Sequence, residues 1–345
     1  MPFKRASKTG DECRFDDHRN YQRICYSNLK GKIMNEEIII KRPKIDNVSD
    51  HLFLITLDPP MRGFENFIGT WLYKGDINFI VDVGPSVTAP GLIKTLEDLG
   101  VAHLDYILLT HIHIDHAGGI GELAQHFTET PIVCHRAGIN HLSDPTRLWE
   151  GTIKTLGAIA HGYGHIKGVD EKRFLDAENF KSKEIACFLT PGHSAHHVSF
   201  LSGNYLFAGE AGGVCFSIEP AYEYLRPATP PTFFMETSIE SINTLIAQAP
   251  EKICYSHFGM KNDAMGLLSR HKEQLSLWEK IIREELESSP KKDFVSDCLN
   301  LLLQEDKNLA GFFALDQPAQ ERERGFLTNS IRGFVGYLET LAYNS

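Results

Sequence analysis

Between residues 108 and 119 the chain reads LLTHIHIDHAGG, which sets His111, His113, Asp115 and His116 within six residues. Imidazole nitrogens and carboxylate oxygens are donors that zinc, iron and manganese all accept. The apolar run DYILLT leads straight into this cluster, and Gly118 and Gly119 hand it over to a helix. Side chains alternate along a strand, so His111 and His113 point to one side where the strand ends. Asp115 and His116 follow on the loop. Ordinary surface histidines do not gather four donors at this spacing. On a rigid strand end, they can serve two neighbouring ions. Two cations that share a water lower its pKa, so that hydroxide exists near neutral pH. The sequence has no GxSxG elbow, so no serine nucleophile is expected.

The elements around the cluster read as an alternation of strands and helices. IIIK, HLFLITL, GTWLYKG and NFIVDVG are β-rich runs bounded by Gly, Asp and Pro. TAPGLIKTLEDLG predicts an amphipathic helix that stops at Gly100. GELAQHF reads as helix, PIVCH as strand, and residues 146–161 as one long helical stretch. KEIACFLT, HHVSFLSG and NYLFAG return to strands, followed by the helix SIESINTLIAQAP and the strand KICYSHFG. From about 262 to 343 only helical periodicity remains, broken at SSPKKD and ALDQPAQ. The division is therefore an arm over 1–33, a catalytic domain over 34–260 and a helical subdomain over 261–345. The arm reads either as disordered or non-native sequence ahead of Met34, or as a short ordered extension.

The motifs resemble those of the metallo-β-lactamase superfamily, in the family's order from about residue 50 to 260. The HxHxDHxGG run at 111–119 matches its signature. FIVDVGPS supplies the upstream Asp-x-Gly, with Asp82 and Gly84, and ENFIGTWL fits loosely through Asn66. TPGHSAHH offers His193, LFAGE offers Glu210, and YSHFG offers His257. The resemblance implies an α/β (α+β) four-layer αβ/βα sandwich with a C-terminal helical subdomain, as in a bacterial branch with a helical extension. It implies that His111, His113 and His193 hold one ion, and that Asp115, His116 and His257 hold the other. Glu210 stands where the family has a bridging Asp. Its extra methylene lets it bridge, bind one ion only, or swing out as an acid or base. Asp115 and Glu210 are the expected catalytic carboxylates, and the cofactors are two divalent ions, zinc first, with iron or manganese as substitutes.

Around this set, His197 matches a histidine of thioester-hydrolysing relatives, and His196 replaces a residue that is often Gly there. The Gly- and Pro-rich segment 211–231 reads as a loop leaving Glu210, with Tyr224 and Arg226 as candidates to grip a substrate carboxylate or phosphate. Residues 133–148 read as rim plus helix cap, with His135 facing the site and Asp144 ahead of Pro145 as cap.

The implied function is hydrolysis of a small ester-, thioester-, lactone- or phosphoester-type substrate by a metal-bridged hydroxide. The alternatives are a mononuclear iron dioxygenase acting on persulfides and a non-catalytic metal-binding sensor. The net charge of -10 opposes binding to phosphate backbones. Seven scattered cysteines and no apolar leader fit a cytoplasmic protein with reduced thiols. No nucleic acid or membrane partner is expected. The C-terminal helices either cover the pocket or form a homodimer contact.

Overall fold

The computed structural model describes residues 14–16, 21–24, 38–218, 222–288 and 293–344. Of the arm, the described part is a pair of strands, Arg14–Asp16 and Tyr21–Ile24, in an antiparallel sheet with Ile38–Lys41. The rest of that expectation lies outside the described residues.

Two larger sheets carry the site. The first has seven strands in the order Phe174–Asp176, Ile132–Cys134, Tyr106–Leu108, Asn78–Val81, Gly69–Lys74, Leu52–Thr56, Lys44–Asn47. Its first four strands run parallel and the rest antiparallel. The second has five, in the order Ala186–Leu189, Val198–Ser202, Tyr205–Phe207, Lys252–Tyr255, Gly259–Lys261.

The period of two along a strand decides which face each residue serves. Phe79 and Val81 of the first sheet, and Phe207 and Cys254 of the second, join one apolar cluster between the sheets. Their neighbours Ile80, Leu206 and Ile253 belong to a second cluster that includes helical residues such as Leu92, Leu123, Ile242 and Leu245. Two sheets face to face with helices outside give the four layers that the motifs imply.

The C-terminal helices are Ala264–Glu287, Phe294–Glu305 and Gln317–Asn344, with a 3-10 turn at Lys307–Ala314. Trp278, Leu302 and Phe334 sit in the same cluster as Phe67 and Val214 of the catalytic domain. A Cβ on Gly333 would lie 1.9 Å from the Thr229 carbonyl oxygen, so the last helix touches backbone of the 226–231 segment. The helical extension is built into the core and has no core of its own.

Two local expectations change. The helical stretch 146–161 is two helices, Thr146–Leu156 and Ala158–Tyr163, parted at Gly157, whose φ of 56° ends the first. The segment 211–231 is not a simple loop. Val214–Ile218 and Tyr222–Arg226 form an antiparallel pair, consistent with the β-rich runs VCFSI and YEYLR.

Candidate metal centre

The centre forms where strand ends from both sheets meet, and Asp82 ties them together. Asp82 takes φ 58°, a left-handed conformation that Asp tolerates better than most residues, and is 1% exposed. Its Oδ1 accepts the Thr110 backbone N–H at 2.8 Å. Its Oδ2 accepts His116 Nδ1–H at 2.8 Å and the Ser256 hydroxyl at 2.8 Å. One carboxylate thus joins three chain segments and fixes the tautomer of His116, leaving Nε2 bare.

The other imidazoles are oriented in the same way. A carbonyl oxygen can only accept, so His257 Nδ1 donates to Phe67 O at 2.9 Å and His193 Nδ1 donates to Ala228 O at 2.9 Å. Their Nε2 atoms face inward. His116 Nε2 and His257 Nε2 are 3.1 Å apart, and His193 Nε2 and His113 Nδ1 are 2.9 Å apart. His111 Nε2 is buried with no hydrogen-bond partner among the described residues.

His111, His113, His193 and Glu210 form one cluster of donors, and Asp115, His116 and His257 form another, each with its ligand atoms within 4.8 Å of one another. Glu210 Oε2 stands between them. It is 2.9 Å from His193 Nε2, 3.4 Å from His111 Nε2 and 3.5 Å from His116 Nε2. Asp115 Oδ2 lies 3.6 Å from His257 Nε2.

This arrangement fits cations. With Nδ1–H committed outward on His116 and His257, two nitrogen lone pairs face each other across 3.1 Å. Such pairs repel unless a cation or a proton lies between them. Burial opposes a charge on His116, yet Asp82 and Asp115 hold its pKa well above the usual value. Burial pushes His111 well below the usual value, and His113 down to about 3, so both are neutral and ready to ligate. Burial resists ionisation of Asp115, but His116 and His257 bring it down to about 2. Glu210 is held well below its ordinary value against burial, chiefly by His193 and His116.

His197 lies beside the first donor cluster, its ring stacked on that of His111 at 5.3 Å, and contributes no ligand atom to it. Its Nε2 accepts the Glu210 backbone N–H at 3.1 Å, and its Nδ1 donates to Thr190 Oγ1 at 2.9 Å. It therefore sets where Glu210 leaves its strand, and burial keeps it neutral. A Cβ on Gly209 would lie 2.4 Å from His197 Nε2, so only glycine allows this contact. His196 lines the cavity, with Nδ1 3.1 Å from Ser194 Oγ, and burial holds it at about 4.

The donors open into a cavity of about 600 Å³. Leu148, Thr152 and Leu156 of one helix and Phe326 and Asn329 of the last helix line it. Tyr224 is not among the lining residues. It is fully buried against Phe216, with ring centres 4.8 Å apart, so the expected substrate grip does not fit it. Arg226 reaches the cavity, but Glu323 Oε2 takes its Nε at 2.5 Å and Pro227 O takes Nη1 at 3.3 Å. Much of its expected fork is used within the protein. His135 does not face the site either. It caps the helix Arg136–Ser143, accepting the Ala137 N–H at 3.1 Å, while Asp144 accepts from Thr146 at the next helix.

Sequence reasoning missed Tyr163, which lines the cavity with a buried hydroxyl that has no partner among the described residues. It also missed the buried pair Arg322 and Glu323. Only apolar residues and charges at helical spacing surround these positions, so no motif announces them.

Comparison with known proteins agrees with the fold. Residues 68–257 match the family described as the metallo-beta-lactamase superfamily, and the chain belongs to it. A metallo-beta-lactamase fold-containing protein of Sulfurisphaera tokodaii is 29% identical over 202 residues, covering 55% of this chain and 74% of that one. A hydroxyacylglutathione hydrolase of Salmonella paratyphi A is 31% identical over 150 residues, 42% of this chain and 47% of its own length. The chain thus spans about half of that hydrolase. Among solved structures, an archaeal superfamily protein from Sulfolobus tokodaii superposes with TM-score 0.61 at 22% identity, covering 83% of this chain and 99% of that one. A family protein from Thermus thermophilus gives TM-score 0.58 at 17% identity, covering 86% and 95%. Both show the fold. Among the described residues no helix is long and apolar enough to cross a membrane.

Proposed function

We propose that this chain is a metal-dependent hydrolase of a small ester-, thioester-, lactone- or phosphoester-type substrate. The observation that carries the reading is the placement of Glu210 Oε2, within 2.9 to 3.5 Å of imidazoles from both donor clusters. The longer side chain spans the pair, in the place of the family's bridging Asp.

His111, His113 and His193 would hold one cation, Asp115, His116 and His257 the other, and Glu210 both. Bound cations supply an acidified water and polarise the oxygen of the scissile group. The protein's own residues do the rest. Asp115 is ionised and lines the cavity, where its second oxygen can orient the attacking water and take its proton. His196 and Arg226 line the same space and can contact substrate oxygens. The walls are largely apolar, and the volume suits a small molecule. The partial likeness to a hydroxyacylglutathione hydrolase supports thioesters as the first class to try. Zinc is the first choice of ion, and a cytoplasmic setting belongs to the same reading, supported by seven scattered cysteines.

The test is a panel of thioesters, lactones and phosphodiesters, run with an oxygen electrode. Turnover of one class without oxygen uptake is expected. Oxygen consumption with a persulfide and no hydrolysis of any class would refute the reading.

A further inference from the structure

The last helix reaches the Asp115–His116–His257 cluster through the ring of Phe67. Phe67 holds His257 in two ways. Its carbonyl accepts His257 Nδ1–H at 2.9 Å, and its ring stacks on the imidazole at 4.4 Å with an interplanar angle of 20°. Phe67 itself has no covalent reason to stay there, since it lies on the stretch between the strands Leu52–Thr56 and Gly69–Lys74.

The rings of Phe64 and Phe216 meet Phe67 edge-on, and further packing comes from the far end of the chain. The guanidinium carbon of Arg322 lies 3.7 Å from the centre of the Phe67 ring. Arg322 Nη1 also donates to Gly63 O, in the middle of the same stretch. Its Nε donates to Glu323 Oε1 at 2.9 Å, and Glu323 is fully buried. Phe326, one turn on, stacks with Phe67 at 5.8 Å and 21°. A Cβ on Gly63 would lie 2.5 Å from Pro318 O, so the helix start and this stretch are in backbone contact.

A guanidinium over a ring face is attracted by the ring quadrupole, more so where water is excluded. Arg322 is 9% exposed and Phe67 2%. The same helix meets the support of the other cluster by a separate route, through Ser330, whose hydroxyl accepts the Thr229 N–H at 3.3 Å beside Ala228 and whose carbonyl accepts the Thr229 hydroxyl at 3.3 Å. His111 is backed by Thr110 and His193 by Ala228 O.

We propose that Arg322 is a positioning residue for the metal site, holding Phe67 against His257 and so raising the affinity of the Asp115–His116–His257 position for its cation. The proposal rests on the two-cation reading of the site. Partners that orient a metal-binding histidine commonly change affinity by about 10- to 100-fold when removed.

The test is stepwise titration of the metal-free full chain with Zn²⁺ against a competing chelator, repeated with Co²⁺ to follow each site by its absorption. Arg322→Met is expected to weaken one of the two binding steps by about 10- to 100-fold and to move the other by less than about 3-fold. Arg322→Lys keeps a cation but loses the planar fork, and should fall between the two. It also serves if Arg322→Met fails to fold. Arg324→Met is the control. It removes a cation lying 5.0 Å from the Phe312 ring on the same helix and should leave both steps unchanged. A folded Arg322 variant with both steps unchanged, or weakened equally, would overturn the proposal while the two-cation reading stands. A wild-type chain that binds only one ion would overturn both.

Discussion

The two donor clusters are supported by different parts of the molecule. His111 and His113 stand on the exit of the strand Tyr106–Leu108, and His111 is backed by its neighbour Thr110. The second cluster draws on distant segments. His116 depends on Asp82, 34 residues away, and His257 on Phe67, 190 residues away. The first joins a local strand exit to His193, which Ala228 O holds from 35 residues away, whereas both imidazoles of the second are oriented by partners from other segments. Only Glu210 belongs to both. Perturbing the fold should therefore damage the second cluster first, and perturbing Glu210 should damage the pair.

The largest effect should come from Asp82→Ala. It leaves the Thr110 N–H, the Ser256 hydroxyl and His116 Nδ1 buried without their acceptor. A loss of about 3–5 kcal/mol is expected from breaking such a buried network, seen in the denaturant midpoint. Asp82 meets His116 directly and His111 only through Thr110, so the variant should lose the Asp115–His116–His257 ion first, and equal loss of both would break the contrast between the clusters. Glu210→Asp comes next. On this backbone a side chain one methylene shorter draws the carboxylate back from imidazoles that it now meets at 2.9 to 3.5 Å, so metal affinity and turnover should fall by about 10- to 100-fold. Unchanged metal content and rate would show that this position does not join the clusters.

Acid probes the helical wall behind the site. Burial holds His271 at about 4, below the ordinary 6.5 of the unfolded chain, with Gln274 at its side. A depressed histidine favours the folded state fully above pH 6.5. That contribution is lost as pH falls from 6.5 toward 4, because the unfolded chain takes up the proton first. The loss at pH 5 is on the order of 1–2 kcal/mol. Chemical denaturation of His271→Leu at pH 7 and pH 5 should show a smaller drop than wild type, and an equal drop would count against the assignment. The smallest effect belongs to Glu279→Gln. It breaks a half-buried i,i+4 pair with Arg283 and should cost about 0.5 kcal/mol, with both metal steps intact.

The contrast between clusters is also a contrast in what the residue string reveals. The strand-end histidines were legible because donor types at tight spacing have few other uses. The sandwich was legible because runs such as NFIVDVG alternate between two apolar faces. His193, Glu210 and His257 were reachable only through resemblance, since they are far apart in the chain and each alone is an ordinary residue. Tyr224 was misread because an aromatic beside a Gly-rich segment does not say whether it faces a cavity or the core. Gly157 shows the reverse case, a glycine whose turn-making role was overlooked inside a helical pattern. Arg322 was invisible. Its partner Phe67 lies 255 residues earlier, and a helix-face arginine normally points to water.

The central claim is that Glu210 joins two cation positions in one centre. Elemental analysis of wild type and Glu210→Ala, both purified without added metal, tests it most directly. Two divalent ions per wild-type chain, and a loss affecting both positions in the variant, are the predicted result. A single iron in wild type, with its content unchanged in Glu210→Ala, would contradict it.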